Sequence, residues 1–352
     1  MQAKLEDRWR IGPVEIQGRL VLAPMAGVSV QAFRRQGRRF GAGLACTEMV
    51  SCAGLASGNE RSLGYLRLAS DESPLAVQIF GSDPAQMAQA ARLAERAGAS
   101  IVDINLGCPV GKVMKTGAGA SLLEQPDLAC RVVATVAEAV TVPVTVKLRR
   151  GLLDGSRACL TLGPRLVEAG AAALVLHPRS ARQMYTGRAD HDLTAELVER
   201  VAVPVIASGD ITCRAEAERV LARTKAAAVM VGRAAQGNPW VLSEIATGVA
   251  RVPCREEVVA ELVAFVRETA RELGERRAAG FLKKFYGWYL RRLRFPKPLA
   301  QELVRLPTTG HVARRLLQEE PAALEAAERI EAESPAQLGT TLALPVSAYG
   351  GG

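Results

Sequence analysis

The stretch Ile101-Val102-Asp103-Ile104-Asn105-Leu106-Gly107-Cys108-Pro109 decides how the chain reads. Val and Ile lead into Asn105 in a run too short for a helix, the mark of a buried strand. Gly107 and Pro109 then bend the chain around a single cysteine. An isolated cysteine is ordinarily a small buried hydrophobe. Cys108, however, sits on a loop just past the carboxyl end of a strand, where α/β enzymes place their chemistry.

Working outward, the same unit recurs. Apolar runs at Leu20–Ala23, Leu44–Met49 and Pro74–Phe80 read as three earlier strands, and Val142–Lys147, Ala173–His177, Val203–Ser208 and Ala227–Gly232 as four later ones. Asp83-Pro84 opens a helix as N-cap and first-turn proline, and Gly98 stops it. Further helices read over Asp127–Val140, Leu160–Ala169, Leu193–Val201 and Arg214–Arg223. Val140–Lys147 (VTVPVTVK) also echoes Val201–Ser208 (VAVPVIAS). Eight strands alternating with helices over about 230 residues predict an α/β fold, a (β/α)8 TIM barrel. From about residue 250 the strand signals stop, and Glu256–Leu273, Phe281–Leu293, Leu299–Leu306, Val312–Leu317 and Pro321–Ala332 read as helices. The expected organisation is a catalytic barrel over 1–245, a small all-helical domain over 250–335 and a disordered tail over 336–352.

Composition narrows the function. The 352 residues are 49% hydrophobic and 23% charged, ample for a core and typical of a soluble protein. Seven cysteines without a CxxC pair, and three histidines apart from them, argue against a disulfide framework or a metal site and for a reducing cytoplasm. Residues 1–10 carry Lys4, Glu6, Asp7 and Arg8 with no apolar core, so they do not read as a signal peptide, and no run is long enough to span a membrane. The net charge of +9 points to an anionic partner.

The polar residues gather at predicted strand ends: Gln78, then Asn105 and Cys108, Lys147, His177, Ser208-Gly209-Asp210, and Gly232-Arg233. Loops after strands seven and eight of such barrels often bind phosphate, and their glycines let backbone N–H groups approach it while Arg233 adds charge. Between Arg276 and Arg315 stand eleven Lys and Arg against one acid, Glu302, a net +10 exceeding that of the whole chain. On a helical wheel Leu282, Phe285, Tyr286, Tyr289 and Leu293 share one face, leaving Lys283, Lys284, Arg291 and Arg294 as a basic stripe suited to nucleic-acid phosphates.

Several of these motifs together resemble the tRNA-dihydrouridine synthase family, bacterial B-type. They are Ala23-Pro24-Met25-Ala26-Gly27, Gln78-Ile79-Phe80-Gly81, the Asp103–Pro109 run, Lys115-Thr116-Gly117-Ala118-Gly119-Ala120, Val146-Lys147-Leu148-Arg149, Gly209-Asp210-Ile211 and Gly232–Trp240. The resemblance implies an FMN-dependent TIM barrel joined to a tRNA-binding helical domain, working as a monomer with NADPH or NADH as reductant. It implies that Pro24, Met25 and Ala26 lie along the flavin and that Gln78 and Lys147 bond its ring. Ser208, Gly209, Asp210, Gly232 and Arg233 would hold its phosphate with His177 beside it. Asn105, Arg149 and Arg179 would face the target uracil, and Cys108 would give it a proton. The family's usual His-Gly-Arg-Thr-Arg reads His177-Pro178-Arg179-Ser180-Ala181 here, leaving open whether Arg182 replaces the arginine absent at Ala181. The alternatives are a flavin oxidoreductase of free pyrimidines (dihydroorotate or dihydropyrimidine type), a Schiff-base lyase built on Lys147, and a non-catalytic RNA-binding protein.

Overall fold

Each barrel strand is a short run rich in Val, Leu, Ile and Ala that alternates between two burial environments. The strands are β1 Leu20–Leu22, β2 Leu44–Cys46, β3 Leu75–Phe80, β4 Ile101–Leu106, β5 Val144–Arg149, β6 Ala173–His177, β7 Val205–Ser208 and β8 Ala228–Val231. All pair in parallel, β1 with β8 and β2 with β3 completing the ring. The computed structural model describes residues 4–296 and 298–333, so the end of the expected helical domain and the expected tail over 336–352 lie outside the described residues.

One side of the strands, including Val77, Ile79, Val102, Ile104, Val146 and Leu174, packs into the large core beneath the surrounding helices. The other, including Val21, Cys46, Ala76, Ile101, Ala173, Val175, Ile206 and Met230, fills the barrel interior. Successive side chains of a strand alternate, so the next inward positions toward the carboxyl ends are Gln78, Asp103, Asn105, Lys147, His177 and Ser208. Register brings these to one level: Gln78 is opposite Asp103, Asn105 opposite Lys147, and Arg149 opposite His177. The polar site is thus the top layer of the interior whose lower layers are apolar.

The expected helix after Asp83 runs over Pro84–Arg96, with the Asp83 carboxylate accepting from the Gln86 N–H at 2.8 Å. Among the elements absent from the sequence reading, a hairpin and a helix matter most for the packing. A hairpin, Trp9–Ile11 with Val14–Ile16, packs into the interior cluster through Trp9, Ile11 and Ile16. The first barrel helix, Gln31–Arg39, is polar in sequence yet buries Gln31 to Gly37. Its partner is the long helix Arg255–Leu273, which opens a region of five helices with Glu275–Leu290, Leu299–Arg305, Thr309–Glu319 and Ala323–Ala332. Glu261, Glu268 and Glu272 share one face of the long helix. They take Arg39 at 2.8 Å, Arg35 at 2.6 Å, and the N–H groups of Gln31 and Ala32 at 3.0 Å. The second of the five begins at Glu275, not Phe281, and ends at Leu290, so Leu293 and Arg294 lie in the turn beyond it.

Candidate active site

A cavity of about 630 Å³ opens at the carboxyl ends of the strands. Its lining includes Pro24, Met25, Ala26, Gln78, Asn105, Cys108, Lys147, Arg149, His177, Ser208, Gly209, Asp210, Gly232 and Arg233, which the sequence had scattered over 210 positions. Arg179 and the four basic residues of the helical stripe are not among its walls.

A directional hydrogen-bond relay organises the floor. Asp103 Oδ1 accepts from the Thr145 hydroxyl at 2.6 Å, and its Oδ2 accepts from Gln78 Nε2 at 2.7 Å. Gln78 Oε1 accepts from Asn105 Nδ2 at 2.8 Å, and Asn105 Oδ1 accepts the N–H groups of Gly107 at 3.1 Å and Cys108 at 2.9 Å. An ionised carboxylate only accepts, so Asp103 fixes which way Gln78 points, Gln78 fixes Asn105, and Asn105 holds the Cys108 backbone. Burial pushes Asp103 up to about 6, with Gln78, Thr145 and then Lys147 pulling it back. The Cys108 loop is held on its other side by Gly119, at φ +63, where a Cβ would meet the Cys108 carbonyl at 2.8 Å. That close approach is why a glycine stands there. Burial raises the Cys108 thiol, so it stays protonated at neutral pH.

The walls carry excess positive charge. Burial, then Arg149, brings Lys147 down to about 8, and its ammonium bonds no described residue. Arg149 ties two loops together through Gly107 O at 3.0 Å, Ser180 O at 2.7 Å and Met184 O at 2.8 Å, leaving its second amino group without a hydrogen bond to a described residue while the guanidinium lies 5.7 Å from the centre of the Tyr185 ring. Burial, then the neighbouring Lys147 and arginines, holds His177 far below the usual imidazole range, so it is neutral. At the mouth, Arg233 lies over the Tyr185 ring at 4.4 Å.

Arg179 departs from its expected place facing a substrate. It is 2% exposed and gives Nη2 to both oxygens of Asp210 at 2.8 and 2.7 Å, Nε to Thr186 O, and Nη1 toward His177 Nε2 at 3.3 Å. Its fork holds the strand-six loop, His177 and the Asp210 turn in register from behind the cavity. Arg182 is exposed outside the lining and makes no side-chain bond to a described residue. Asp210, at φ +53, has its carboxylate taken by Arg179 and the Ala189 N–H at 2.8 Å, so it shapes the turn and offers no lone acid to the cavity.

The end walls fit a phosphate. The Ser208 hydroxyl and the backbone N–H groups of Gly209, Gly232 and Arg233 donate to no described residue. A Cβ at Gly209 would stand 2.9 Å from the His177 ring and from Ala189, so backbone alone forms that edge. With Arg233 beside them, these donors make a cradle for an anion.

The sequence profile described as Dihydrouridine synthase (Dus) matches residues 21–327, spanning barrel and helical region. The chain belongs to the dihydrouridine synthase family. It is 38% identical over 310 residues to tRNA-dihydrouridine synthase B of Pseudomonas aeruginosa, covering 85% of this chain and 92% of that one. The protein of the same name from Escherichia coli K12 is 39% identical over 288 residues, 80% of this chain and 89% of that one. Among solved structures, morphinone reductase superposes with a TM-score of 0.54 at 17% identity, covering 71% of this chain and 91% of that one. Histamine dehydrogenase from Rhizobium sp. 4-9 gives 0.56 at 14% identity over 73% of this chain, which spans only half of that longer protein. These two carry the barrel fold alone.

Within this dihydrouridine synthase, Asp103 and Tyr185 are among the site residues that escaped sequence reasoning. Asp103 reads as an ordinary strand residue, although its inward parity with Asn105 was a usable signal. Tyr185 gave none, because its contact with Arg233 depends on how the loop after strand six folds. Among the described residues no histidine, cysteine and carboxylate cluster could hold a metal, and no helix is long and apolar enough to cross a membrane.

Proposed function

We propose that this protein reduces uridines of tRNA to 5,6-dihydrouridine with FMN as resident cofactor and NADPH or NADH as reductant. One observation carries the reading: a protonated thiol, an unpartnered ammonium and an anion cradle line one cavity in a chain of this family. When bound, the flavin supplies the hydride for the C5–C6 double bond of the base. Lys147 would sit at the flavin ring with Gln78, its charge stabilising the reduced ring. Ser208, Gly209, Gly232 and Arg233 would hold the phosphate, with Met25 and its neighbours along the ring.

Cys108 Sγ holds the proton that the other carbon requires, and the Asp103–Gln78–Asn105 relay fixes the loop that presents it. Arg149, with one amino group free, is suited to the carbonyl edge of the uracil. Asn105 directs its amino group to Gln78 Oε1 and Met49 Sδ and its oxygen to Gly107 and Cys108, so it is better read as a positioning residue, whereas Gln78 keeps one N–H for the ring; Arg179 and Asp210 brace the wall. A uridine in folded tRNA reaches such a cavity only when turned out of its stack.

The helical region would hold the RNA. Arg276, Arg277, Lys283, Arg291 and Arg294 are exposed and make no ion pair with a described residue, whereas Leu282, Phe285, Tyr286 and Tyr289 are buried. A reductase of free pyrimidines has no use for that surface. All seven cysteines are free thiols, which suits a cytoplasmic enzyme. The test is mass mapping of dihydrouridine in tRNA from cells with and without the gene. Loss of dihydrouridine at defined positions, restored by the intact gene, is expected; an unchanged map contradicts the proposal.

A further inference from the structure

On the basic helix Glu275–Leu290 one exposed charge is spent on the barrel. Lys284 lies over the Phe281 ring at 4.3 Å and the Phe285 ring at 5.5 Å, and its ammonium donates to the Gly27 carbonyl on the loop after β1. The other side of that residue is also held: the Gly27 N–H donates to Glu48 Oε2 at 2.6 Å. Glu48 is 4% exposed. Gly27 itself stands at φ +72, and a Cβ there would come 3.4 Å from Lys284 Nζ. The rest of the loop is a tight turn. Met25 N–H donates to the Ser29 hydroxyl at 3.0 Å, Ser29 donates to Ala23 O at 3.0 Å, and Met25 O accepts from Val28 and Ser29.

We propose that Lys284 and Glu48 form a clamp on Gly27 that positions Pro24, Met25 and Ala26 against the cofactor. Lys284 is then a positioning residue and makes no phosphate contact, although it stands beside Lys283 in a stripe otherwise suited to RNA. Burial raises the Glu48 carboxyl, and the Gly27 N–H and then Lys284 draw it back. Lys284 reaches out of the helical region into the cofactor loop of the barrel, so the surface proposed to hold RNA is wired to the floor proposed to hold flavin. This inference rests on the FMN reading given above.

The experiment compares full-length wild type with Lys284→Ala, Lys284→Arg, Glu48→Gln and Lys283→Ala. FMN affinity is read by fluorescence titration of the flavin-free protein. Hydrogen exchange of the amides of residues 24–30 is read without flavin, and tRNA affinity by filter binding. Lys284→Ala should weaken FMN binding about tenfold, the worth of one charge-assisted hydrogen bond, and speed exchange at residues 24–30. Lys284→Arg should recover most of both, while Lys283→Ala should lower tRNA affinity more than Lys284→Ala does. Should Lys284→Ala not fold, Glu48→Gln decides: it keeps an acceptor for Gly27 but loses the charge facing Lys284, and should weaken FMN severalfold. Unchanged FMN affinity and exchange in these variants, with tRNA affinity falling as in Lys283→Ala, would overturn the clamp. Wild type that binds no FMN would instead overturn the cofactor reading, while the exchange data would still report on the clamp.

Discussion

At the scale of single residues, the site rests on protons held at named atoms. Cys108→Ala should retain flavin and still oxidise NADPH, yet form dihydrouridine about 10²–10⁴-fold more slowly, the usual worth of a general acid. Undiminished product from that variant, measured by mass, would return Cys108 to a packing role. The relay beneath it predicts a pH dependence. Asp103 must be ionised to accept from both Gln78 and Thr145, and with its carboxyl raised to about 6 it gains a proton as pH falls through that value. Gln78 then loses its orientation, so kcat/KM should fall on the acid side. Lys147 loses its proton as pH rises through about 8, so activity should fall there too as the cavity gives up its cation. Asp103→Asn should lower activity near neutrality and abolish the acid limb. An acid limb that survives in this variant would show that another group controls it.

At the scale of elements, the helix Gln31–Arg39 depends on partners far away in sequence. Arg34 is bonded through Nε to Glu72 Oε1 at 2.6 Å and through Nη2 to Oε2 at 3.0 Å, and Glu72 also takes the Ala69 N–H at 3.0 Å. Both members of the pair are buried, so Glu72→Ala leaves an uncompensated cation and should lose about 3–5 kcal/mol of stability in urea unfolding. A loss under 1 kcal/mol would mean that water reaches Arg34.

The same helix marks where sequence stops being informative. The eight strands were legible because each is an apolar run closed by a polar residue, glycine or proline. The segment QAFRRQGRR looks like exposed surface, because Glu72, Glu261 and Glu268, which justify its burial, are 33 to 237 positions distant. The Trp9–Ile16 hairpin was missed because its strands, WRI and VEI, carry a charged residue at the centre and so lack the apolar run that marks the barrel strands. Arg179 illustrates a related limit. Residue type suited it to a substrate, but Asp210 claims its guanidinium, a pairing visible only once strands six and seven lie side by side.

At the scale of the whole molecule, the proposed division of work falls between a barrel and a helical region that are physically joined. Tyr289 on the basic helix donates to Gln36 Oε1 at 2.6 Å, Gln36 donates to Glu261 at 2.8 Å, and Phe285 packs on Phe33 with ring centres 6.4 Å apart. Replacing Lys283, Arg291 and Arg294 with Glu leaves this seam untouched, since all three are exposed. Such a protein should keep its flavin and its NADPH oxidation but bind tRNA far more weakly. Its log–log salt dependence should be shallower by roughly one for each lost phosphate contact. Equal affinity and slope for mutant and wild type would move the RNA to another face.

The most direct test of the central claim uses purified protein, NADPH and an unmodified tRNA transcript, with the product digested and weighed. The account predicts that specific uridines gain two hydrogen atoms, that the gain requires FMN, and that Cys108→Ala nearly abolishes it. NADPH oxidation with no mass change in any uridine, or reduction of free uracil in preference to the transcript, would contradict it.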